Sequence, residues 1–183
     1  MRNITSRRSF LQRSAIATTG LALLSSNVVN AFTDNCPYDG YNPYADTKTD
    51  LRTVTLGKHV KVKGSIYDKT GLTPIHNATL EVWHLSPNST KFRHRGKIKT
   101  NARGEYSFIT DFPNREQGKS CRIYFKVCNN NSTYFTELLL ASSTPSAHIT
   151  SKHWEENQQL GEKVLPVTEK FLNTTTINFN ISI

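Results

Sequence analysis

The chain has 183 residues and a formal net charge of +9. Four arginines and no acidic residue lie in positions 1–31, so loss of that segment would leave 9 − 4 = +5. This excess is mild, and neither an aromatic stacking motif nor a basic helix accompanies the lysines, which argues against a nucleic-acid-binding protein. The roughly 150 residues that remain suit one domain with a buried core.

The first 31 residues predict an export signal. Arg7 and Arg8, in S-R-R-S-F-L, resemble the twin-arginine export motif. An apolar stretch over residues 15–24 follows, and residues 29–31 (V-N-A) have the small-x-small form of a signal-peptidase site. The stretch is shorter than the about 20 residues of a membrane-spanning helix. We expect an exported protein, periplasmic or secreted, that begins near Phe32; an ordinary secretory signal is the alternative.

Residues 32–56 predict an N-terminal arm without regular structure. Turn-forming residues are frequent and hydrophobic periodicity is weak. The arm contains three tyrosines, at positions 38, 41 and 44. We expect them either to line a pocket at the mouth of the domain or to cover its edge.

Residues 57–183 predict an all-β domain. Apolar and polar residues alternate with period two, which is typical of strands with one buried face, and turn formers separate the alternating stretches. The expected fold is a single β-sandwich of about seven to nine strands, transthyretin-like in outline. A short helix is expected near residues 153–160, ended by Gly161. The clearest strands are expected near residues 59–67, 78–84, 106–108, 121–128, 133–141 and 174–183.

The strand at residues 121–128 gives the sharpest orientation. Cys121, Ile123 and Phe125 alternate as an apolar face, so Arg122 and Tyr124 should project from the other side. An arginine and a tyrosine on a pocket wall can bind an anionic or polar ligand. The tyrosine could act as an acid or base if Arg122 lowered its pKa.

The three cysteines restrict disulfide formation. Cys121 and Cys128 lie seven residues apart on one strand, about 23 Å at the usual rise, and cannot bond to each other. An intrachain disulfide would therefore pair Cys36 with one of them. Three reduced cysteines remain the alternative.

Several stretches resemble the intradiol ring-cleavage dioxygenases, the protocatechuate and catechol dioxygenases. The resemblance covers roughly residues 57–140 and implies their β-sandwich fold. It would also imply an oxidoreductase that acts on aromatic diols with ferric iron held by two tyrosines and two histidines. The matching pieces are residues 64–78, residues 80–83 (L-E-V-W), residues 95–108 and Pro113 before a strand ending I-Y-F.

The expected iron ligands are replaced in this sequence. On the resemblance, the two histidine positions fall on Arg122 and Tyr124, and one tyrosine position falls on Phe92. The other tyrosine position falls near Asn114 or Arg115. We therefore expect neither an iron cofactor nor a metal site of the family type.

The same resemblance indicates candidate site residues. Lys119 stands where the family has a substrate-side arginine, so the candidate catalytic residues are Arg122, Tyr124 and Lys119. The candidate ligand-binding residues are Phe92, His94 and Arg115. His94 follows Phe92 by two positions and in extended backbone would project the same way, toward the former metal pocket. A solvent-facing histidine among arginines is the alternative.

The sequence is compatible with three functions. The leading hypothesis is an exported intradiol dioxygenase-like protein that does not perform the family's iron-dependent ring cleavage. The second is a non-catalytic β-sandwich binding module for a small aromatic, a carbohydrate or a protein partner. The third is a metal-independent enzyme that uses the inherited pocket to act on a small aromatic or polar ligand. The sequence does not indicate an oligomeric state.

Overall fold

A computed structural model describes residues 36–129, 132–142, 144 and 146–183. The predicted export signal, residues 1–31, lies outside the described residues. The chain divides into two units, residues 1–37 and 38–183, and the sandwich belongs to the second. Of the first unit, Cys36 and Pro37 are described.

The described part of the chain contains ten strands, in two five-stranded sheets. The expected all-β sandwich is confirmed. The strands are β1 His59–Tyr67, β2 Thr79–His84, β3 His94–Lys99, β4 Glu105–Asp111, β5 Cys121–Asn129, β6 Ser132–Leu140, β7 Ala147–Ile149, β8 Val167–Phe171, β9 Thr174–Asn178 and β10 Ile181–Ser182.

β1 is the centre of the first sheet. It pairs antiparallel with β4 along one edge, and parallel with β9 and then β10 along the other. β8 extends this sheet by pairing antiparallel with β9. The second sheet is antiparallel throughout, in the order β3-β2-β5-β6-β7.

The core lies between the two sheets. On β5 the side chains of Ile123 and Phe125 are fully buried, as the period-two pattern predicted. The Phe125 ring lies 6.2 Å from Phe108 of β4 and 5.2 Å from Phe179, measured between centroids, and so connects the two sheets. Burial of an aromatic ring of this size contributes about 1.5–3 kcal/mol.

A short helix follows β7. α1 spans Ser151–Glu156, and the hydroxyl of its N-cap Thr150 accepts a hydrogen bond from the His153 amide. This cap explains why the helix begins two residues before the expected position. A 3₁₀ segment, Gln158–Val164, continues from it and bends at Gly161. None of the helices in the described ranges is long and apolar enough to cross a membrane.

The N-terminal arm packs on the outer face of the second sheet and then pairs with its edge strand, β3. The Trp83 indole N–H of β2 donates to the Asp39 carbonyl at 2.9 Å, and the Lys97 amide of β3 donates to the Asp46 carbonyl at 2.9 Å. The phenol of Tyr41 donates to the Glu81 carboxylate at 2.6 Å. Tyr38 and Tyr41 thus cover a sheet face, whereas Tyr44 is exposed.

Candidate functional site

The site indicated by the resemblance lies on the outer face of the second sheet. Arg122 and Tyr124 of β5 project from the side opposite Ile123, which confirms the expected orientation. Tyr124 is only 2% exposed because other aromatic side chains cover it. This face is therefore packed, not solvated.

Tyr124 lies within a cluster of aromatic rings. Its ring stacks on Tyr38 of the arm at a centroid distance of 4.7 Å and on Trp83 of β2 at 5.6 Å. Phe92 lies 6.3 Å away at a tilted angle. We call Tyr38, Trp83, Phe92 and Tyr124 the aromatic cluster. The Tyr124 phenol donates a hydrogen bond to the Glu116 carboxylate.

The neighbouring cations are neutralised by carboxylates. Arg122 forms an ion pair with Glu137 of β6 at 2.6 Å, and both side chains are largely buried. Lys119 is more exposed and pairs with Glu116 at 2.7 Å. Arg115 is exposed. The paired cations leave less positive charge for an anionic ligand than the sequence suggested.

The acid–base properties of Tyr124 differ from the expectation. Burial raises the pKa of its phenol far above the usual value, and the hydrogen bond to Glu116 raises it further. Arg122 acts in the opposite direction, but its effect is smaller. Tyr124 therefore stays protonated at neutral pH, and the condition for an activated tyrosine, a pKa lowered by Arg122, is not met.

The residues at the expected ligand positions do not fit ferric iron. Phe92 has no donor atom, and the guanidinium of Arg122 has no lone pair to give. The Tyr124 oxygen is already hydrogen-bonded to the Glu116 carboxylate. In the described ranges no three histidine, cysteine, aspartate or glutamate side chains are placed to hold a metal ion.

Phe92 and His94 do not project into one pocket. Phe92 precedes β3 and packs against Tyr124 on the outer face, whereas His94 opens β3 and is buried against β4. The expected common direction was wrong because the chain is not an extended strand at Phe92. Of the six candidate residues, the structure brings Phe92, Tyr124, Arg122 and Lys119 to one face and places His94 elsewhere.

His94 belongs to a polar cluster that joins the two sheets. Its Nε2 lies 2.9 Å from the Asp111 carboxylate at the end of β4. The same carboxylate accepts hydrogen bonds from His59 Nδ1 at 3.1 Å and from the amide and hydroxyl of Thr53, both at 2.8 Å. Burial alone would raise the pKa of Asp111, but the Thr53 and His94 hydrogen bonds hold it at about 2.

Ser86 completes a line of three side chains. The hydroxyl of Ser86 lies 2.9 Å from His94 Nδ1. Asp111 only accepts hydrogen bonds, so in the neutral imidazole of His94 the ring proton is on Nε2 and Nδ1 is the acceptor. Ser86 therefore donates to His94, which in turn donates to Asp111.

A second histidine lies beside this line. The rings of His84 and His94 stack with centroids 4.8 Å apart, because the two residues are directly opposite on β2 and β3. His84 Nδ1 donates to the Leu85 carbonyl, and Nε2 accepts from the Thr110 hydroxyl, both at 2.7 Å. Burial lowers the pKa of His84 to about 3, so the His84 ring beside His94 is uncharged at neutral pH.

A cavity of about 650 Å³ opens at this end of the sandwich. Ser86, His94 and Asp111 contribute to its wall, together with apolar side chains that include Val54, Leu56 and Phe112. Lys58 and Arg93 add positive charge. Its volume is in the range of small-molecule sites.

Ser86, Asp111 and His59 were not among the site residues predicted from the sequence. One signal was available: His84 and His94 flank a nine-residue loop between two strands, the arrangement of a hairpin whose ends meet. The approach of Asp111 depends on how the two sheets stack, and no local pattern indicates it.

Comparisons with known proteins define the fold. No family model and no curated protein matches the sequence. Among solved structures, a dioxygenase domain from Streptomyces sp. SirexAA-E is 17% identical, with a TM-score of 0.61 over 81% of this chain and 95% of that one. An intradiol ring-cleavage dioxygenase from Tetranychus urticae is 16% identical, with a TM-score of 0.59 over 80% and 90%.

More distant enzymes share the same architecture. The 3-chlorocatechol 1,2-dioxygenase of Rhodococcus opacus 1CP is 13% identical, with a TM-score of 0.55 over 80% of this chain and 69% of that one. The chain thus has the β-sandwich fold of the intradiol ring-cleavage dioxygenases.

Proposed function

We propose that this chain is an exported protein of the intradiol dioxygenase fold that does not perform iron-dependent ring cleavage. The observation that supports this most directly is the environment of Tyr124. Its ring is buried between Tyr38 and Trp83, and its phenol is bonded to Glu116. A ferric ion would have to displace Glu116 to reach this oxygen, and Arg122 and Phe92 at the neighbouring expected positions offer no ligand atom.

The aromatic cluster has a structural role in this proposal. Tyr38 stacks on Tyr124, and Asp39 accepts a hydrogen bond from Trp83, so the cluster fastens the arm to the second sheet. Arg122 is occupied by Glu137, and Lys119 by Glu116. A catalytic role for Arg122, Tyr124 and Lys119 stays a prediction, and these contacts weigh against it.

Iron content and the visible spectrum test the proposal. Tyrosinate bound to ferric iron gives a visible charge-transfer band, so a ring-cleaving protein would be coloured after expression with iron. We expect a colourless protein with far less than one iron per chain. One iron per chain with a visible band, both lost in Tyr124→Phe, would contradict the proposal.

A binding function at the cavity near His94 is a second candidate. The cavity combines apolar wall residues with Lys58 and Arg93, which suits a small ligand with an apolar part and a polar or acidic group. Calorimetric titration with benzoate and with neutral benzamide would test it. Binding of neither compound would count against a small-aromatic ligand.

A further inference from the structure

The line Ser86, His94 and Asp111 has the connectivity of a nucleophile, a base and an orienting carboxylate. The hydroxyl lies 2.9 Å from His94 Nδ1, and His94 Nε2 lies 2.9 Å from Asp111. Both distances fall within the range of about 2.6–3.2 Å expected for an activated nucleophile. Such triads are recognised by geometry and roles, not by the order of residues in the sequence.

We propose that Ser86, His94 and Asp111 form a hydrolytic site that cleaves small carboxylic esters in the cavity. Ser86 is the nucleophile, His94 the general base, and Asp111 the residue that positions the imidazole. This site goes beyond the proposed function and requires neither metal nor oxidant.

Neighbouring groups hold the base in the competent orientation. Asp111 is itself fixed by His59 and by both donors of Thr53, so its carboxylate cannot rotate freely. The stacked ring of His84 closes one face of His94 and is neutral, so it adds no competing charge. His94 is 2% exposed and Ser86 is 6% exposed.

The reaction proceeds in two balanced steps. The Ser86 oxygen bonds to the ester carbonyl carbon while its proton moves to His94 Nδ1. The tetrahedral oxyanion then expels the alcohol, which takes that proton, and leaves an acyl group on Ser86. Water attacks the acyl carbon, His94 again accepts and returns the proton, and the carboxylic acid leaves with Ser86 restored.

The site also offers charge for the oxyanion. The backbone N–H of Arg93 donates to the Ser86 oxygen at 3.2 Å and orients that oxygen. The side chains of Lys58 and Arg93 line the same cavity and contribute positive potential. The apolar wall, with Val54 and Leu56, accommodates a short acyl chain or a ring.

The test uses the exported protein in buffer with EDTA, p-nitrophenyl acetate as substrate and a fluorophosphonate as covalent probe. We expect turnover that Ser86→Ala and His94→Gln each lower by about 100-fold or more. Mass spectrometry should find one fluorophosphonate adduct, on Ser86. The matched control is Ser89→Ala, because the Ser89 hydroxyl bonds the Lys91 amide and no imidazole; it should keep both turnover and labelling.

Circular dichroism shows which variants are folded. Ser86→Ala removes only one oxygen atom, so this variant can still be compared with the unchanged protein if His94→Gln does not fold. Ester hydrolysis that is unchanged in Ser86→Ala, or a protein that is not labelled on Ser86, would overturn the proposal. The assay contains EDTA and does not depend on iron. A negative result would therefore overturn the hydrolytic site without bearing on the proposed function, which is tested by iron content and the visible spectrum.

Discussion

Tyr38 of the arm stacks on Tyr124 of β5 with ring centroids 4.7 Å apart. The contact joins residues 86 positions apart in the sequence. It covers the face where the resemblance to the intradiol dioxygenases predicted the former metal pocket. Because the phenol of Tyr124 also bonds Glu116, both the ring and its oxygen are occupied. The arm therefore determines whether this face is accessible.

Substitutions at two glycines test how closely the N-terminal arm packs on Phe92. Gly40 and Gly118 have nearly the same φ, 74° and 72°. A Cβ at Gly40 would overlap the Phe92 side chain, whereas a Cβ at Gly118 meets nothing within 4 Å. We expect Gly118→Ala to lower the free energy of unfolding by about 1–2 kcal/mol, from backbone strain alone.

Gly40→Ala should cost clearly more than Gly118→Ala, and it should expose Tyr124 to solvent. Urea denaturation measures the first effect and tyrosine fluorescence quenching the second. Equal losses for the two variants would show that the arm does not pack on Phe92.

The buried carboxylate Asp111 should contribute far more to stability than an exposed one. Asp111 is 1% exposed and bonds His59, His94 and Thr53, so Asp111→Asn should lower the free energy of unfolding by about 3 kcal/mol or more. The control is Asp50→Asn, whose exposed pair with Arg52 is worth less than about 1 kcal/mol. Denaturant midpoints give both values, and similar losses would contradict the buried network.

Protonation of the buried His153 side chain should lower the stability of the fold in mild acid. His153 is fully buried, and burial lowers its pKa from 6.5 to about 4. As the pH falls, the unfolded chain binds a proton at His153 before the folded chain does. The stability that is present above pH 6.5 is therefore lost as the pH falls toward 4. The full effect is about 3 kcal/mol.

Removing the imidazole should flatten this pH dependence. We expect His153→Leu to show a smaller change in unfolding free energy between pH 7 and pH 4.5 than the unchanged protein. His84 titrates in an overlapping range, with a pKa of about 3, so part of the slope will remain. The exposed His148→Leu serves as the control, and an unchanged slope in His153→Leu would refute the assignment.

The sequence was sufficient to predict the fold and the faces of its strands. Alternation on β5 identified Ile123 and Phe125 as buried because strand period is a local property. The strands β3, β7 and β8 were not among those expected, since none of them has a clear run of alternating apolar residues. Short edge strands depend on the neighbours that they pair with.

The site was less predictable because its contacts are not local. The pairing of β5 with β6 brings Arg122 close to Glu137, and no spacing in either strand specifies that register. Asp111 reaches His94 only because the two sheets stack at that point. Phe92 and His94 were expected to project in the same direction, but Phe92 lies in the loop before β3 and its side chain packs on the opposite side, against Tyr124.

The predicted export signal can be tested separately. If the twin-arginine motif directs export, replacing both Arg7 and Arg8 with lysine should keep the precursor inside the cell. Replacing Arg2 and Arg13 with lysine instead preserves the charge and should leave export unchanged. Cell fractionation followed by mass spectrometry decides this, with a mature N-terminus expected near Phe32. Equal export of both variants would favour an ordinary secretory signal.

Oxygen consumption tests the central claim most directly. The protein, expressed and reconstituted with iron, is mixed with catechol or with protocatechuate in an oxygen electrode, beside an authentic catechol 1,2-dioxygenase as a positive control. We predict no uptake above that of buffer with the same iron, because Tyr124 is buried and bonded to Glu116 and Arg122 gives no ligand atom. Diol-dependent oxygen uptake at rates comparable to the control enzyme, abolished in Tyr124→Phe, would contradict the account.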